Sequence, residues 1–198
     1  MTAQILLGSN NPGKLEELRV LLGGMTDLEL ISPAALNLSI NVDEYGVTYK
    51  ENASLKAKVY AAASGLPSLA DDSGLEVEAL GGEPGLHSAR TAPTAAERRA
   101  ILLRRLAEKP KPWRAVFRST LALALTSGEV HTAEGECLGE ISPFERGSGG
   151  FGYDPIFIVD GTGRTMAELT MEEKNRLSHR AKAIEGIKKV ITALLQNS

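Results

Sequence analysis

Gln4-Ile5-Leu6-Leu7-Gly8-Ser9-Asn10-Asn11-Pro12-Gly13-Lys14 is the stretch that decides the fold. Its first five residues form a short apolar run closed by a glycine, which is the pattern of a buried strand. From Lys14 onward the apolar residues have helical spacing, and one face carries Leu15, Leu18, Leu21 and Leu22. A second strand is predicted at Leu28–Ile31 and a second helix at residues 51–63. Strands and helices that alternate in this way predict an α/β fold.

The turn at residues 9–14 has the composition of a phosphate site. It places a hydroxyl, two carboxamides, a glycine and Lys14 between a strand and a helix. Such a turn directs backbone N–H groups and the positive end of the helix dipole at one point, and the lysine adds a point charge. The spacing differs from that of the common P-loop. The alternative is an ordinary strand-to-helix turn around an Asn-Pro-Gly breaker.

Composition restricts the class of protein. A chain of 198 residues suits one α/β domain, or one domain with a lobe. Its net charge of -3 argues against a nucleic acid as the main partner, because proteins that bind nucleic acids usually carry a basic face. We expect no membrane segment, since no apolar run is long enough to cross a bilayer, and no secretion signal, since the N-terminus lacks a charged n-region and an apolar h-region. The single Cys137 excludes an internal disulfide and fits a reducing compartment, so we expect a cytoplasmic protein.

The middle of the chain continues the α/β pattern. The predicted elements are a short strand at residues 68–70, a half-exposed strand at 75–79, a helix at 93–107, and a hairpin of strands at 114–126 and 129–136. Thr94 and Glu97 form a capping box at the start of that helix. We predict a single domain over residues 1–198 with a hairpin-rich lobe at about residues 112–145, and the Lys-Pro repeat at 109–112 is the predicted boundary of that lobe.

A short strand at residues 156–159 and a long helix at 171–196 are predicted near the end of the chain. Thr170 and Glu173 form a second capping box at the start of this helix. Its buried stripe is predicted to contain Ile184, Ile187, Ile191, Leu194 and Leu195. Ser178 has the chemistry to restart the helix as an N-cap, and the sequence leaves this open.

Two adjacent carboxylates, Asp71 and Asp72, follow the short strand predicted at residues 68–70. In an α/β sheet, ligands usually bind at the end of such a strand. Neighbouring side chains of a strand point to opposite faces, so at most one carboxylate faces a given site and the other anchors a neighbouring loop. With a second acid from residues 43–44, one carboxylate would suffice for Mg²⁺, which also takes phosphate oxygens and water. The alternatives are a capped turn at residues 71–72 and a solvated loop at residues 43–44.

A glycine-rich loop at residues 148–155 is the third candidate. Three glycines in four positions let the backbone approach a ligand closely, and Phe151 between them can stack on a base. Asp154 is suited either to a base edge or to a backbone turn. In the alternative interpretation, Phe151 belongs to the core.

Basic residues near the last helix form the fourth candidate. Lys174 and Arg180 can grip phosphate or read a base carbonyl, and His179 can donate to the base or sit as a structural histidine. The alternative is a solvated helix face. Lys56 is a further phosphate candidate, although most lysines on such a helix are merely exposed.

Together, these motifs resemble the inosine triphosphate pyrophosphatase family. The motifs are S-N-N-P-G-K at residues 9–14, A-D-D-S-G-L at 70–75, G-G-x-P-G-x-x-S-A-R at 81–90, G-G-F-G-Y-D-P-I-F at 149–157 and E-E-K-N-R-L-S-H-R at 172–180. The resemblance runs from about Ile5 to the final helix. It implies an elongated, twisted mixed sheet flanked by helices, with two lobes around a central cleft, and usually a homodimer.

The same resemblance implies Mg²⁺-dependent hydrolysis of deaminated purine nucleoside triphosphates, namely ITP, dITP and XTP, to monophosphate and pyrophosphate. Asp72 would bind Mg²⁺ and activate the attacking water, and Glu44 would be the second metal-linked acid. Together with Lys56, the predicted substrate-binding residues are Ser9, Asn10, Asn11, Pro12, Gly13, Lys14, Ser73, Phe151, Gly152, Tyr153, Asp154, Lys174, His179 and Arg180. A donor such as Arg180 or a backbone N–H would pair with the carbonyl at purine position six and be left unpaired by an amino group.

Two other functions stay open from the sequence. One is a pyrophosphatase of related fold that acts on modified pyrimidine or ordinary nucleoside triphosphates. The other is a non-catalytic nucleotide or RNA sensor, to which the arginine pairs at residues 98–99 and 104–105 would contribute. The negative net charge and the lack of interleaved aromatic residues argue against the sensor, and a solvated helix face explains the arginines more simply.

Overall fold

The computed structural model describes residues 2–196, in which seven strands form one sheet accompanied by five α-helices. The strands are β1 (Ala3–Leu7), β2 (Leu28–Ile31), β3 (Ser68–Val77), β4 (Pro84–Gly85), β5 (Arg114–Ala124), β6 (Val130–Ile141) and β7 (Phe157–Val159). The helices are α1 (Pro12–Leu22), α2 (Tyr49–Ser64), α3 (Ala95–Leu106), α4 (Met171–Leu177) and α5 (His179–Gln196).

The sheet is mixed, as the sequence predicts. Its strand order is β2-β1-β3-β5-β6-β7, and the short β4 pairs with β3 outside this path. Strand β1 runs parallel to both β2 and β3, whereas β3–β4 and β6–β7 are antiparallel pairs. The prediction of an α/β fold with a mixed sheet is therefore confirmed.

Contacts within the chain define two compact units. The first contains the chain up to Asp72, Ser119–Gly135 and the chain from Lys182 onward, and the second contains Ser73–Arg118 and Glu136–Ala181. The hairpin of β5 and β6 contributes to both units. The Lys-Pro repeat at residues 109–112 lies inside the second unit, whereas a division between the units falls between Asp72 and Ser73.

In the first unit, the side chains of β3 and β5 alternate between two apolar layers, because successive residues of a strand point to opposite faces. One layer packs against α1 and α5 and includes Leu18, Leu69, Leu121, Leu123, Ile184, Ile187 and Ile191. The other layer packs against α2 and consists of Ala53, Ala57, Ala61, Ala70, Ala122 and Ala124. The same alternation places Asp71 on the α1 side of β3 and Asp72 on the α2 side.

The second unit has its own apolar core. Leu75 and Val77 of β3 pack there with Leu102 and Leu106 of α3, and all four are buried. Cys137 is buried in the same cluster, where it acts as a small apolar side chain. Within residues 2–196, no helix is both long enough and apolar enough to cross a membrane.

The main error of the sequence prediction concerns β3. The sequence predicts two separate strands at residues 68–70 and 75–79, with a capped turn at residues 71–72 as an alternative, but Ser68–Val77 is one continuous strand. The two aspartates are buried at 2% and 7% relative exposure because polar partners surround them, so their polarity does not mark a turn. The strand predicted at residues 75–79 also ends earlier than expected, because residues 78–80 form a 3-10 turn.

The long C-terminal helix is divided at Ser178. This residue is extended, with φ −69° and ψ 153°, and separates α4 from α5. Its Oγ accepts a hydrogen bond from the Ala181 N–H at 3.2 Å, so Ser178 caps α5, which resolves the question that the sequence left open. Both predicted capping boxes, at Thr94 and at Thr170, are present.

Candidate active site

The turn between β1 and α1 is held by its own side chains. Asn11 caps α1, because its Oδ1 accepts from the N–H groups of Gly13 at 3.0 Å and Lys14 at 3.2 Å. Ser9 Oγ accepts from the Asn11 N–H, and Asn10 Nδ2 donates to the Ile40 carbonyl at 2.7 Å. In this structure Asn11 therefore occupies the N–H groups of Gly13 and Lys14.

Lys14 reaches from the first turns of α1 to Asp71 on β3. Its Nζ lies 2.7 Å from Asp71 Oδ2, and the side chain keeps 15% of its surface exposed while that of Asp71 is fully buried. The other carboxylate oxygen of Asp71 accepts from Ser119 Oγ of β5 at 2.5 Å. The sequence predicts that one of the two adjacent acids anchors a neighbouring loop, whereas Asp71 contacts a helix, α1, and a strand, β5.

Asp72 faces α2 and lies in a group that we call the carboxylate–lysine cluster: Asp72, Glu44, Lys56 and Asn52. Lys56 Nζ donates to Asp72 Oδ1 at 2.8 Å and to Glu44 Oε1 at 2.5 Å. Asn52 Nδ2 donates to the other oxygen of Asp72 at 3.3 Å. The cluster thus joins two carboxylates through one ammonium group, and Lys56 is not the merely exposed lysine of the alternative interpretation.

The segment that carries Glu44 has no helix or strand, and α2 holds it in place. The Gly46 N–H donates to Asn52 Oδ1 at 2.8 Å, and the Val47 N–H donates to Glu51 Oε2 at 2.7 Å. A Cβ at Gly46 would come within 2.6 Å of Asn52 Oδ1, so a larger residue would displace this contact. Asp43 is exposed, and for this residue the solvated-loop interpretation holds.

Burial and charge act in opposite directions in the carboxylate–lysine cluster. Burial raises the pKa of Asp72 above the usual aspartate range, although the positive charges of Lys56 and Lys14 reduce this rise. Burial alone would lower the pKa of Lys56, but the charges and hydrogen bonds of Asp72 and Glu44 outweigh it and raise that pKa. Asp72 therefore depends on nearby positive charge to stay ionised.

A second cluster, in the second unit, surrounds Phe151. Asp154 Oδ2 accepts from the Phe151 N–H at 3.0 Å and from Lys174 Nζ at 2.7 Å. Asp154 therefore holds the backbone turn, which is one of the two roles predicted for it. Gly150 has φ +72°, and a Cβ there would lie 2.7 Å from Lys174 Nζ, so the turn requires glycine. We call Phe151, Asp154, Lys174 and Arg180 the aromatic–cationic cluster.

The Phe151 ring is half-buried and lies outside the buried core. Lys174 Nζ is 5.5 Å from the ring centroid, and Arg180 Cζ is 5.7 Å from it. Both distances are within the range of cation–π attraction. The ring thus keeps an accessible part, and two cations fix its position.

Arg180 and His179 do not lie on a solvated helix face. Arg180 is only 1% exposed, and its Nη2 donates to Ser73 Oγ at 3.2 Å. His179 stacks on Phe117 with ring centroids 4.8 Å apart. These contacts fix the start of α5 and orient the hydroxyl of Ser73.

The other residues of the glycine-rich loop are tied to the second unit. Tyr153 is buried, and its hydroxyl donates to the Ser88 carbonyl at 3.1 Å. The Gly152 carbonyl accepts from Arg99 Nη1 at 2.8 Å, and Arg99 also pairs with Glu145. No local sequence pattern assigns Arg99 to this loop, because its contacts lie about 50 positions away in the chain.

The fold is an α/β fold in which an inner strand of the sheet carries two buried carboxylates, each joined to a lysine. Residues 5–190 match the sequence model of the Ham1 family. The chain belongs to this family.

Curated relatives and solved structures are similar to this chain over nearly its whole length. A dITP/XTP pyrophosphatase of Symbiobacterium thermophilum is 45% identical over 98% of this chain and 97% of its own length. One from Thermus thermophilus is 46% identical over 93% of this chain and 89% of its own length. The structure of a HAM1 protein from Coxiella burnetii is 38% identical, with a TM-score of 0.84 over 96% of this chain and 99% of that chain.

Proposed function

We propose that this protein hydrolyses deaminated purine nucleoside triphosphates, namely dITP, ITP and XTP, to monophosphate and pyrophosphate, and so clears them from the nucleotide pool. The observation that carries the proposal is the carboxylate–lysine cluster, in which the buried Asp72 is joined through Lys56 to Glu44. This cluster has the charge and the donor atoms for phosphate chemistry. The choice of substrate follows from the dITP/XTP pyrophosphatases at about 45% identity.

The cluster fits Mg²⁺ as a cofactor. Oxygens of Glu44 and Asp72 already converge on one cationic group, the ammonium of Lys56. Within residues 2–196, no group of three or more His, Cys, Asp or Glu side chains could hold a metal ion by itself. A set of two carboxylates suits Mg²⁺, which completes its shell with phosphate oxygens and water. When bound, the metal neutralises phosphate charge as a Lewis acid.

The reaction proposed for Asp72 needs no covalent intermediate. Asp72 orients a water molecule and accepts its proton while the water oxygen bonds to the α-phosphorus. The bond between the α-phosphorus and the oxygen that bridges the α- and β-phosphates breaks, and pyrophosphate leaves with that oxygen and the electron pair. Lys14 and Lys56 offset the negative charge of the phosphates, since catalysis of phosphoryl transfer is largely positioning and electrostatics.

The aromatic–cationic cluster is proposed to contact the base. The Phe151 ring offers a stacking surface, and Lys174 and Arg180 fix that ring. Arg180 or a backbone N–H then donates to the carbonyl at purine position six. An adenine amino group would leave this donor unpaired, which costs about 1–3 kcal/mol when the donor is buried.

A substrate panel tests the proposal. ITP, dITP, XTP, ATP, GTP and dUTP are each incubated with and without Mg²⁺, and pyrophosphate and orthophosphate are detected separately. We expect pyrophosphate from the inosine and xanthosine substrates only when the metal is present. Orthophosphate, or equal rates with ATP, would contradict the proposal.

We further propose that the protein works as a homodimer in the cytoplasm. The family resemblance supports the dimer, and the single cysteine supports the compartment. Light scattering after size-exclusion chromatography should give twice the mass of 21.1 kDa. A mass of one chain at micromolar concentration would contradict the dimer.

A further inference from the structure

We infer that Asp71 and Ser119 are positioning residues for catalysis, which aim the ammonium group of Lys14 at the substrate phosphates. This inference rests on the proposed function, because it takes Lys14 as a phosphate contact. It assigns a role to Asp71, the aspartate of the adjacent pair that takes no direct part in the proposed reaction.

Asp71 is a charged residue in an otherwise apolar layer, the one under α1 and α5. Leu69 of β3 and Leu121 of β5 lie on the same face of the sheet and are fully buried in the apolar layer under α1 and α5. Asp71 continues this row as a carboxylate with no exposed side-chain surface. Because a buried ion pair is seldom more stabilising than apolar residues of the same volume, stability alone does not explain a charge here.

The geometry shows what the charge is aimed at. Oδ2 of Asp71 lies 2.7 Å from Lys14 Nζ, and the Asp71 carbonyl lies 3.4 Å from the same nitrogen. Two acceptors of one residue thus bind one ammonium group. The carboxylate torsion of an aspartate is otherwise broad, and the hydroxyl of Ser119 restricts it by donating to Oδ1.

This arrangement reduces the cost of ordering a flexible side chain. Lysine has four rotatable side-chain bonds, and a ligand that must order them loses binding free energy. In this structure Lys14 is already held, and 15% of its side-chain surface stays exposed. A triphosphate therefore meets an ammonium group in a fixed place, and Ser119 acts on substrate binding through Asp71 and Lys14.

The test is a double-mutant cycle on dITP hydrolysis with Ser119→Ala and Lys14→Ala. Removing the hydroxyl frees the Asp71 carboxylate to turn, so S119A should raise KM for dITP by roughly threefold to tenfold, with kcat within about twofold. In the K14A background the same change should leave KM unaltered. The matched control is Ser68→Ala, since Ser68 is an equally buried serine of β3 whose hydroxyl donates to the Leu66 carbonyl.

Each result has one consequence. A KM increase that is equally large with and without Lys14, or one that S68A reproduces, would show a general structural role and overturn the inference. An unchanged KM in S119A would also overturn it, while dITP hydrolysis by the unmutated chain would leave the proposed function intact. If the unmutated chain does not hydrolyse dITP, the proposed function fails, and the inference fails with it.

Discussion

Asp71 and Asp72 show how the position of one residue in a strand decides its chemistry. The two carboxylates are consecutive and both buried, but they lie on opposite faces of β3. Asp71 meets Lys14 and Ser119, and Asp72 meets Lys56 and Asn52. On the account given above, only Asp72 handles the reacting water.

Replacing Asp72 with asparagine therefore removes the proton acceptor and keeps the size of the side chain. We expect Asp72→Asn to lower kcat for dITP by about 100-fold or more, because general-base catalysis contributes on that scale. Steady-state kinetics measure the loss, and equilibrium binding of dITP should stay within a few-fold of the unmutated protein. Near-normal turnover would exclude Asp72 as the base.

Glu44 is expected to affect metal activation more than substrate binding. Because Mg²⁺ is bound through one or two carboxylates, Glu44→Gln should raise the Mg²⁺ concentration for half-maximal activity by about tenfold. Titration of activity with Mg²⁺ at saturating dITP measures this shift. Asp43→Asn is the matched control, since Asp43 is the adjacent acid and is exposed. Equal shifts in both variants would point to general electrostatics and not to a ligand.

Phe151 is expected to bind the base by stacking. Alanine substitution of an aromatic residue that stacks on a base costs about 1–3 kcal/mol, so Phe151→Ala should raise KM for dITP by roughly fivefold to 150-fold. Phe144→Ala serves as the control, because Phe144 is 65% exposed and lies outside both clusters. Similar KM values for the two variants would rule out stacking at Phe151.

Sequence patterns identify charged candidates well and neutral partners poorly. Lys14 and Asp72 stand in recognisable motifs, Glu44 lies in a polar stretch beside Asp43, and the structure places each of the three in a polar network. Asn52 and Ser119 are ordinary residue types with no local signal. Their roles depend on contacts with residues 20 and 48 positions away in the chain, which no local pattern reveals.

At the scale of the elements, α4 matters because it carries Lys174. The capping box of Thr170 and Glu173 starts this helix, and Arg164 pairs with Glu173. The hydrogen bonds from Arg164 and from Thr170 lower the pKa of Glu173 from 4.5 to about 2. Since the pKa is lower in the folded protein, the stabilisation is present above pH 4.5 and is lost as the pH falls towards 2.

Glu173→Gln should therefore flatten the acid limb of the stability curve. We expect the variant to be less stable than the unmutated protein at neutral pH, and this difference to shrink between pH 4.5 and pH 2. Urea unfolding at a series of pH values measures it. Glu172→Gln is the control, because Glu172 is the exposed neighbour in the same helical turn. A difference that does not depend on pH would contradict the role assigned to the Glu173 carboxylate.

A helix with a local capping box and a short apolar strand are among the elements that the sequence predicts best. The helix expected at residues 93–107 spans Ala95–Leu106 in the structure. The strand expected at Leu28–Ile31 begins and ends at the predicted residues. Strand β3 was divided wrongly because its centre contains two aspartates and a glycine, which locally favour a turn. Pairing with neighbouring strands and with Lys14 and Lys56 overrides that local preference.

At the scale of the whole molecule, the chain divides between Asp72 and Ser73, and each unit carries one of the two clusters. The carboxylate–lysine cluster belongs to the first unit and the aromatic–cationic cluster to the second. In the proposed function, the carboxylate–lysine cluster binds the phosphates and the metal, and the aromatic–cationic cluster binds the base. Conversion of a deaminated purine triphosphate to monophosphate and pyrophosphate requires both kinds of recognition.

The most direct measurement is one reaction that contains equal concentrations of dITP and dATP with Mg²⁺, with the nucleotides separated and the phosphate products assayed over time. We predict that dIMP and pyrophosphate accumulate together while dATP persists. Formation of dIDP and orthophosphate, or consumption of dATP as fast as dITP, would contradict the proposed function.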